Sequence, residues 1–235
     1  MQLSQRMEAL AGLVTPGLFL TDVGTDHGYL PVWLCMNGTV PGAVAADINE
    51  GPLARAARTV RTYGLSDRIA LVLSDGLKNL PDLKDGCILI AGMGGMLVIR
   101  ILSEGEERLA GAQELVLQPQ SDIPLVRAWV SEHGWEITRE DLVKEDGKYY
   151  PMMQLHRRGQ EEGPLTDDLR LRYGPGLLES RHPVLLEYLR EERKKLGRIL
   201  SGLEHQDSPR ARERMIELEK ELELNAAAFR YFEQT

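Results

Sequence analysis

The sequence predicts an α/β fold: a parallel sheet covered by helices on both faces, with a coiled-coil-like helical hairpin appended at its carboxyl end. Short apolar runs recur along the first two thirds of the chain with helical patterns between them, and continuous apolar strands are what a sheet buried on both faces requires. Beyond Arg157 these runs stop and two long helical patterns with a heptad seam replace them. With 235 residues, 43% of them hydrophobic, the chain can bury one good core and keep a remainder for a second small domain. The expected domains are therefore residues 1–157 and 158–235.

Leu3, Met7, Leu10 and Leu13 recur at helical spacing, giving an amphipathic opening helix that stops near Thr15-Pro16-Gly17. The period then shortens. Strands are expected at Leu18 to Val23, Gly42 to Asp47, Ile69 to Leu73, Cys87 to Ala91 and Glu114 to Gln118, and helices at Leu30 to Cys35, Pro52 to Tyr63, Gly95 to Leu109 and Ile123 to His133. Glu136 to Leu142 and Tyr150 to His156 follow without a long helix between them, which predicts an antiparallel hairpin at the sheet edge. Gly159 to Gly163 and Tyr173-Gly174-Pro175-Gly176 are breakers. Beyond them lie two helices flanking His205-Gln206-Asp207-Ser208-Pro209, with seams Leu185, Leu189, Glu192, Leu196, Ile199, Leu203 and Met215, Leu218, Leu222, Asn225, Phe229, Phe232.

In an open α/β sheet, ligands bind beyond the carboxyl ends of the strands. The residues found there are Asp22-Val23-Gly24-Thr25-Asp26-His27-Gly28, Asp47-Ile48, Ser74-Asp75-Gly76 and Ala91-Gly92-Met93-Gly94-Gly95. Gly24 permits a tight turn and Gly28 a close approach at the start of a helix. Asp47 stands 19 residues after Gly28, where a carboxylate can hold both hydroxyls of a ribose. This much fits NAD as well as S-adenosylmethionine. The dinucleotide pattern, however, wants glycine two and five residues after Gly24, where this chain has Asp26 and Tyr29. Asp26 would repel a pyrophosphate but attract the cationic amino group of S-adenosylmethionine. Asp75 can accept a hydrogen bond from an adenine amino group. The expected cofactor contacts are Asp22, Gly24, Thr25, Asp26, Gly28, Asp47, Ile48, Ser74, Asp75, Gly76, Ala91 and Gly92. Any one of these aspartates is ordinarily a helix cap or turn residue; three at successive strand ends argue for a ligand.

The motifs DVGTDHGYLP, AADINEGPL, LSDGL, IAGMGG and LQPQ resemble the successive motifs of the bacterial tRNA (adenine-22 N1)-methyltransferases. The resemblance spans residues 1 to about 157 most strongly. It implies a Rossmann-like class I methyltransferase domain followed by a helical domain, and methyl transfer from S-adenosylmethionine to N1 of an adenine in tRNA. Methyltransferases that act on exocyclic amino groups carry an Asn/Asp-Pro-Pro-aromatic motif where this chain has Ala91-Gly92-Met93-Gly94-Gly95. Neutral adenine N1 has an in-plane lone pair and no proton to lose, so alignment rather than a strong base is needed, and the extruded base must be gripped on its Watson–Crick edge. Asp26, His27 and Tyr29 are the candidates to bond the adenine amino group or stack on its ring, beside the turn that carries Met93. His27 has an equally good reading as a turn residue. Gln118-Pro119-Gln120 is polar where a substrate would lie, or simply a strand-end turn. Tyr149-Tyr150-Pro151 reads as edge-strand packing or as a stacking surface.

A net charge of -8 argues against a protein coated generally in nucleic acid. The balance is uneven: residues 1–156 carry 13 Lys and Arg against 20 Asp and Glu, whereas residues 157–235 carry 15 against 16. Arg190, Lys194 and Arg198 recur at four-residue steps, with Arg193 and Lys195 beside them. They form either a phosphate-contacting stripe or a solvated face paired with Glu187, Glu191 and Glu192. No apolar run is long enough to span a bilayer and no signal segment opens the chain, so a cytoplasmic location is expected, with no protein partner implied. Cys35 and Cys87 lack metal-ligand spacing and read as buried thiols, and no metal is expected. Two other readings stand beside the main one: methyl transfer to a different acceptor, and a non-catalytic RNA-binding protein on the same fold.

Overall fold

A computed structural model describes residues 1–81, 83, 85–159, 163–203 and 208–233. The breakers read at Gly159 to Gly163 and His205 to Pro209 fall largely outside this set. The chain divides into two compact units, Met1–Leu165 and Thr166–Thr235.

The first unit holds helices α1 (Gln5–Leu13), α2 (Tyr29–Met36), α3 (Glu50–Thr62), α4 (Gly95–Glu104), α5 (Glu106–Leu109) and α6 (Ile123–Glu132). Its strands are β1 (Leu20–Val23), β2 (Ala43–Asp47), β3 (Ile69–Leu73), β4 (Cys87–Met93), β5 (Glu114–Pro119), β6 (Trp135–Glu145) and β7 (Lys148–Arg157). They form one sheet in the order β3-β2-β1-β4-β5-β7-β6. The first five are mutually parallel, and β7 runs antiparallel to both β5 and β6. Every residue of β1 and β5 is buried, which explains their unbroken apolar runs. Core clusters lie on both faces, one around Leu20, Ala45 and Leu89 under α1 and α2, the other around Ile88, Ile90 and Leu117 under α4 and α6. Cys35 and Cys87 are buried thiols within the first cluster, and burial pushes the pKa of each up.

Two local features differ from the pattern reading. The helix expected from Gly95 to Leu109 is two helices, because the backbone bends at Gly105, where a Cβ would lie 2.5 Å from Leu77 Cδ1. The edge strands are longer than their apolar cores because Asp146 (φ 50°) and Gly147 (φ 74°) close a two-residue hairpin. This paired positive-φ turn matches strand twist, so pairing continues to the loop from Glu145↔Lys148.

The second unit holds α7 (Asp168–Tyr173), α8 (Pro175–Glu179), α9 (Pro183–Leu203) and α10 (Pro209–Glu233). Gly174 separates the two short helices that precede the long pair. Leu185, Leu189, Glu192 and Leu196 of α9 are buried on the expected seam, while Ile199 is exposed. In α10, Leu218 and Asn225 are buried with Ala228, and Met215, Leu222, Phe229 and Phe232 are partly buried. The Glu192 carboxylate accepts hydrogen bonds from Arg172 Nη2 (3.0 Å), Tyr173 Oη (2.6 Å), Tyr188 Oη (3.0 Å) and Asn225 Nδ2 (2.9 Å). A buried charge on a helical seam is tolerated when its acceptor sites are filled in this way.

Candidate active site

The order β3-β2-β1-β4-β5 reverses direction between β1 and β4, creating a crevice beyond their carboxyl ends. The turns after β1 and β4 face each other there. Gly24 (φ 78°) turns the chain sharply, and its N–H and that of Thr25 donate to Ala46 O at 2.8 and 2.9 Å. A Cβ at Gly24 would sit 1.9 Å from Met93 Cε, so the two turns touch through Met93. Gly28 (φ 66°) starts α2, with space for a Cβ only 3.2 Å from Ala56 Cβ of α3. On β4, pairing with β5 shifts between Ala91 and Met93, a bulge centred on Gly92 (φ 77°). Gln118 of β5 is fully buried and fixes this bulge, its Oε1 accepting from Gly92 N–H at 3.1 Å.

A cavity of about 270 Å³ opens between these turns, lined by Asp22, Gly24, Thr25, Asp26, Tyr29, Leu30, Ala91, Gly92 and Gln120, and closed by Arg6, Met7 and Leu10 of α1. Asp22 is buried, and desolvation pushes its carboxyl up to about 6. Asp47 adds a smaller push, and the Thr25 hydroxyl stands close enough to draw it down. The Thr25 Oγ1 is itself buried without a partner in hydrogen-bond geometry, an exception in a native interior and a frequent mark of a ligand site. Asp26 is exposed and engaged: its Oδ1 accepts from Arg55 Nε (3.0 Å) and Nη2 (2.7 Å). His27 (φ 61°) stacks on Tyr29 with ring centroids 5.1 Å apart, and only Tyr29 of the pair lines the cavity.

The remaining expected contacts lie along the sheet from this cavity, on the turns after β2 and β3. Asp47 Oδ1 accepts from Asn49 N–H at 2.7 Å, Ile48 is exposed, and Ser74 N–H donates to Asp47 O at 2.9 Å. Ser74 is buried and shapes its own turn, donating to Gly76 O and accepting from Asn79 N–H. Asp75 pairs with Lys78 at 2.7 Å, which holds its carboxyl below the usual range. Among the described residues, no cluster of three or more His, Cys, Asp or Glu is arranged to hold a metal ion.

Arg190, Arg193, Lys194, Lys195 and Arg198 are all exposed on α9. Glu192, named as a pairing partner for them, faces the buried seam instead. Tyr150 packs against the core beneath the Arg6 guanidinium, at 5.0 Å. Arg6, Met7 and Leu10 are the lining residues that motif reading missed. They sit on an opening helix whose apolar period reports burial and says nothing of a site, and α1 reaches the crevice only because it packs against β5, β6 and β7.

The model of the family described as tRNA (adenine(22)-N(1))-methyltransferase matches residues 20–227. The tRNA (adenine(22)-N(1))-methyltransferase of Bacillus subtilis (strain 168) is 29% identical over 227 residues, covering 95% of each chain. The solved structure of the B. subtilis m1A22 tRNA methyltransferase superposes with a TM-score of 0.84 at 29% identity, over 97% of this chain and 98% of that one. Streptococcus pneumoniae Sp1610, solved in complex with S-adenosyl-L-methionine, superposes with a TM-score of 0.85 at 31% identity, over 97% and 99%. The chain belongs to the tRNA (adenine(22)-N(1))-methyltransferase family.

Proposed function

We propose that the crevice between β1 and β4 holds S-adenosylmethionine, that adenine 22 of tRNA is received at the Gly92 bulge, and that the exposed cations of α9 contact tRNA phosphates. The chain is an S-adenosylmethionine-dependent tRNA (adenine-22 N1)-methyltransferase. One observation carries the placement: the Gly24 and Gly92 turns border a single cavity into which a buried carboxylate, Asp22, and an unpartnered hydroxyl, Thr25, both face. Those residues suit a cationic ligand, since Asp22 is costly to ionise alone and is relieved by a positive charge.

S-adenosylmethionine supplies an electrophilic methyl group, which the N1 lone pair takes while the C–S electron pair returns to sulfur and positive charge passes to the base. The chain's own task is then to hold and orient. Asp47 would take the ribose hydroxyls and Asp75 the adenine edge of the cofactor, each from a turn that already fixes its backbone. Tyr29, half-exposed at the cavity and stacked on His27, offers a flat face to the target base. The Gly92 bulge puts backbone, rather than side chain, beside it. No residue is asked to remove a proton, and the carboxylates of Asp22 and Asp26 favour a site where the product base is positive.

The five exposed cations of α9 suit a phosphate backbone, which supplies affinity without sequence information. Among the described residues no helix is long and apolar enough to cross a membrane, and a tRNA substrate fits a cytoplasmic protein. The deciding experiment supplies the protein with labelled S-adenosylmethionine and an unmodified tRNA transcript, then digests and maps the product. We expect 1-methyladenosine at position 22 and no label in a transcript with guanosine there. Label in another nucleoside would overturn the placement of the acceptor at the Gly92 bulge.

A further inference from the structure

We propose that Arg6 of α1 and Asp22 of β1 form a clamp for the amino-acid end of S-adenosylmethionine, with Arg6 taking the carboxylate and Asp22 facing the ammonium group. The inference rests on the cofactor reading above and adds a residue that lies outside every strand-end motif. Both side chains line the same cavity of about 270 Å³, and neither has its charge met by the protein.

The Arg6 side chain is only 24% exposed, and its Nε is buried without a hydrogen-bond partner. Its nearest carboxylate, Glu145, is 3.9 Å from Nε, beyond hydrogen-bond reach, and instead accepts from the Arg6 backbone N–H at 3.1 Å. Nη1 is given to a neutral acceptor, Gln118 Oε1 at 3.3 Å. A half-buried guanidinium with an open donor is normally held against an anion.

The geometry also shows why Arg6 stays aimed at the cavity. Its guanidinium lies 5.0 Å over the Tyr150 ring, and it shares the Gln118 oxygen with the N–H of Gly92. A Cβ on Gly92 would come within 3.8 Å of Arg6 Nη1, so α1 and the β4 bulge are in register through this one side chain. Asp22 stands across the void with no cationic partner among the described residues. Asp26, the other carboxylate on the lining, is already bonded twice by Arg55. One uncompensated positive and one uncompensated negative group facing a small space select a zwitterion. The turns of Asp47 and Asp75, suited to the adenosine half, do not line this cavity, which leaves the α-amino acid as the part that enters it.

The test measures binding, by calorimetry, of two ligands: S-adenosylhomocysteine, and 5′-methylthioadenosine, which keeps the nucleoside and thioether but lacks the amino-acid end. For Arg6→Ala we expect S-adenosylhomocysteine affinity to fall about 10- to 100-fold, the loss of a charge-assisted hydrogen bond, with 5′-methylthioadenosine changed less than about twofold. Arg6→Lys should recover part of the loss, because it restores the charge without the planar fork. Equal losses for both ligands would mean that Arg6 only shapes the crevice, and unchanged affinity for both would remove it from the site; either result overturns the clamp. If the unaltered protein bound neither ligand, the cofactor reading itself would fall and the clamp with it.

Discussion

At the amino end of the sheet Glu114, the first residue of β5, is fully buried and saturated with donors: Thr15 N–H at 3.0 Å, the Thr15 hydroxyl, Gln154 Nε2 at 2.8 Å, and His156 Nε2 at 3.2 Å. At the carboxyl end Asp22 is also buried, but the hydroxyl beside it makes no hydrogen bond and no cation meets it. The first carboxylate ties the loop after α1 to β5 and β7 and is part of the structure. The second is held in readiness at a cost to stability, as binding sites often are. Burial is the same in both places, and what separates a scaffold from a site is whether the polar groups have been answered from within the chain.

Three substitutions test that contrast. The largest effect is expected for Glu114→Ala, which strands the donors of Thr15 and Gln154 and should lower unfolding stability by about 3–5 kcal/mol in urea titrations. Affinity for S-adenosylhomocysteine should be retained. A loss below about 1 kcal/mol would mean that the network contributes little and the two ends are not opposites after all.

Asp22→Asn should act in the other direction. A carboxyl raised to about 6 in the fold contributes its full stability below the unfolded value near 4 and loses it as pH rises through about 6. The cofactor-free protein should therefore lose stability between about pH 4 and pH 7, and Asp22→Asn should remove that slope and gain about 1–3 kcal/mol at pH 7. The same variant should bind S-adenosylmethionine much more weakly. Thermal melts across pH, with and without ligand, read both effects; a destabilised apo variant at pH 7 would contradict the idea that Asp22 is strained by burial.

The smallest effect belongs to Arg55→Ala. The Arg55–Asp26 pair is exposed, with side-chain exposures of 41% and 62%, and such pairs contribute below about 1 kcal/mol. Equilibrium unfolding of this variant should match the parent within that margin. A loss as large as that of Glu114→Ala would show that exposure, too, fails to separate the scaffold from the site.

Much of this was legible without coordinates, where the signal is local. The five parallel strands follow from apolar runs, and Gly24, Gly28 and Gly92 mark turns because their positive φ angles suit a residue without Cβ. The break at Gly105 was less legible, since a glycine in a helical pattern bends the chain only if something packs against it, as Leu77 does. The Asp146-Gly147 turn was readable and would have lengthened both edge strands.

The sequence by itself determined the elements, the acidic and glycine-rich strand ends, and through them the cofactor class, because turn chemistry and periodicity are written within a few neighbouring residues. The tertiary structure alone decided the strand order that sets the Gly92 turn beside the Gly24 turn, the pairing of Asp26 with Arg55 that leaves Asp22 as the unanswered carboxylate, and the arrival of Arg6 at the crevice. Arg6 and Gln118 are 112 residues apart, and no period or local propensity joins them. Only the packing of α1 against the far strands of the sheet does.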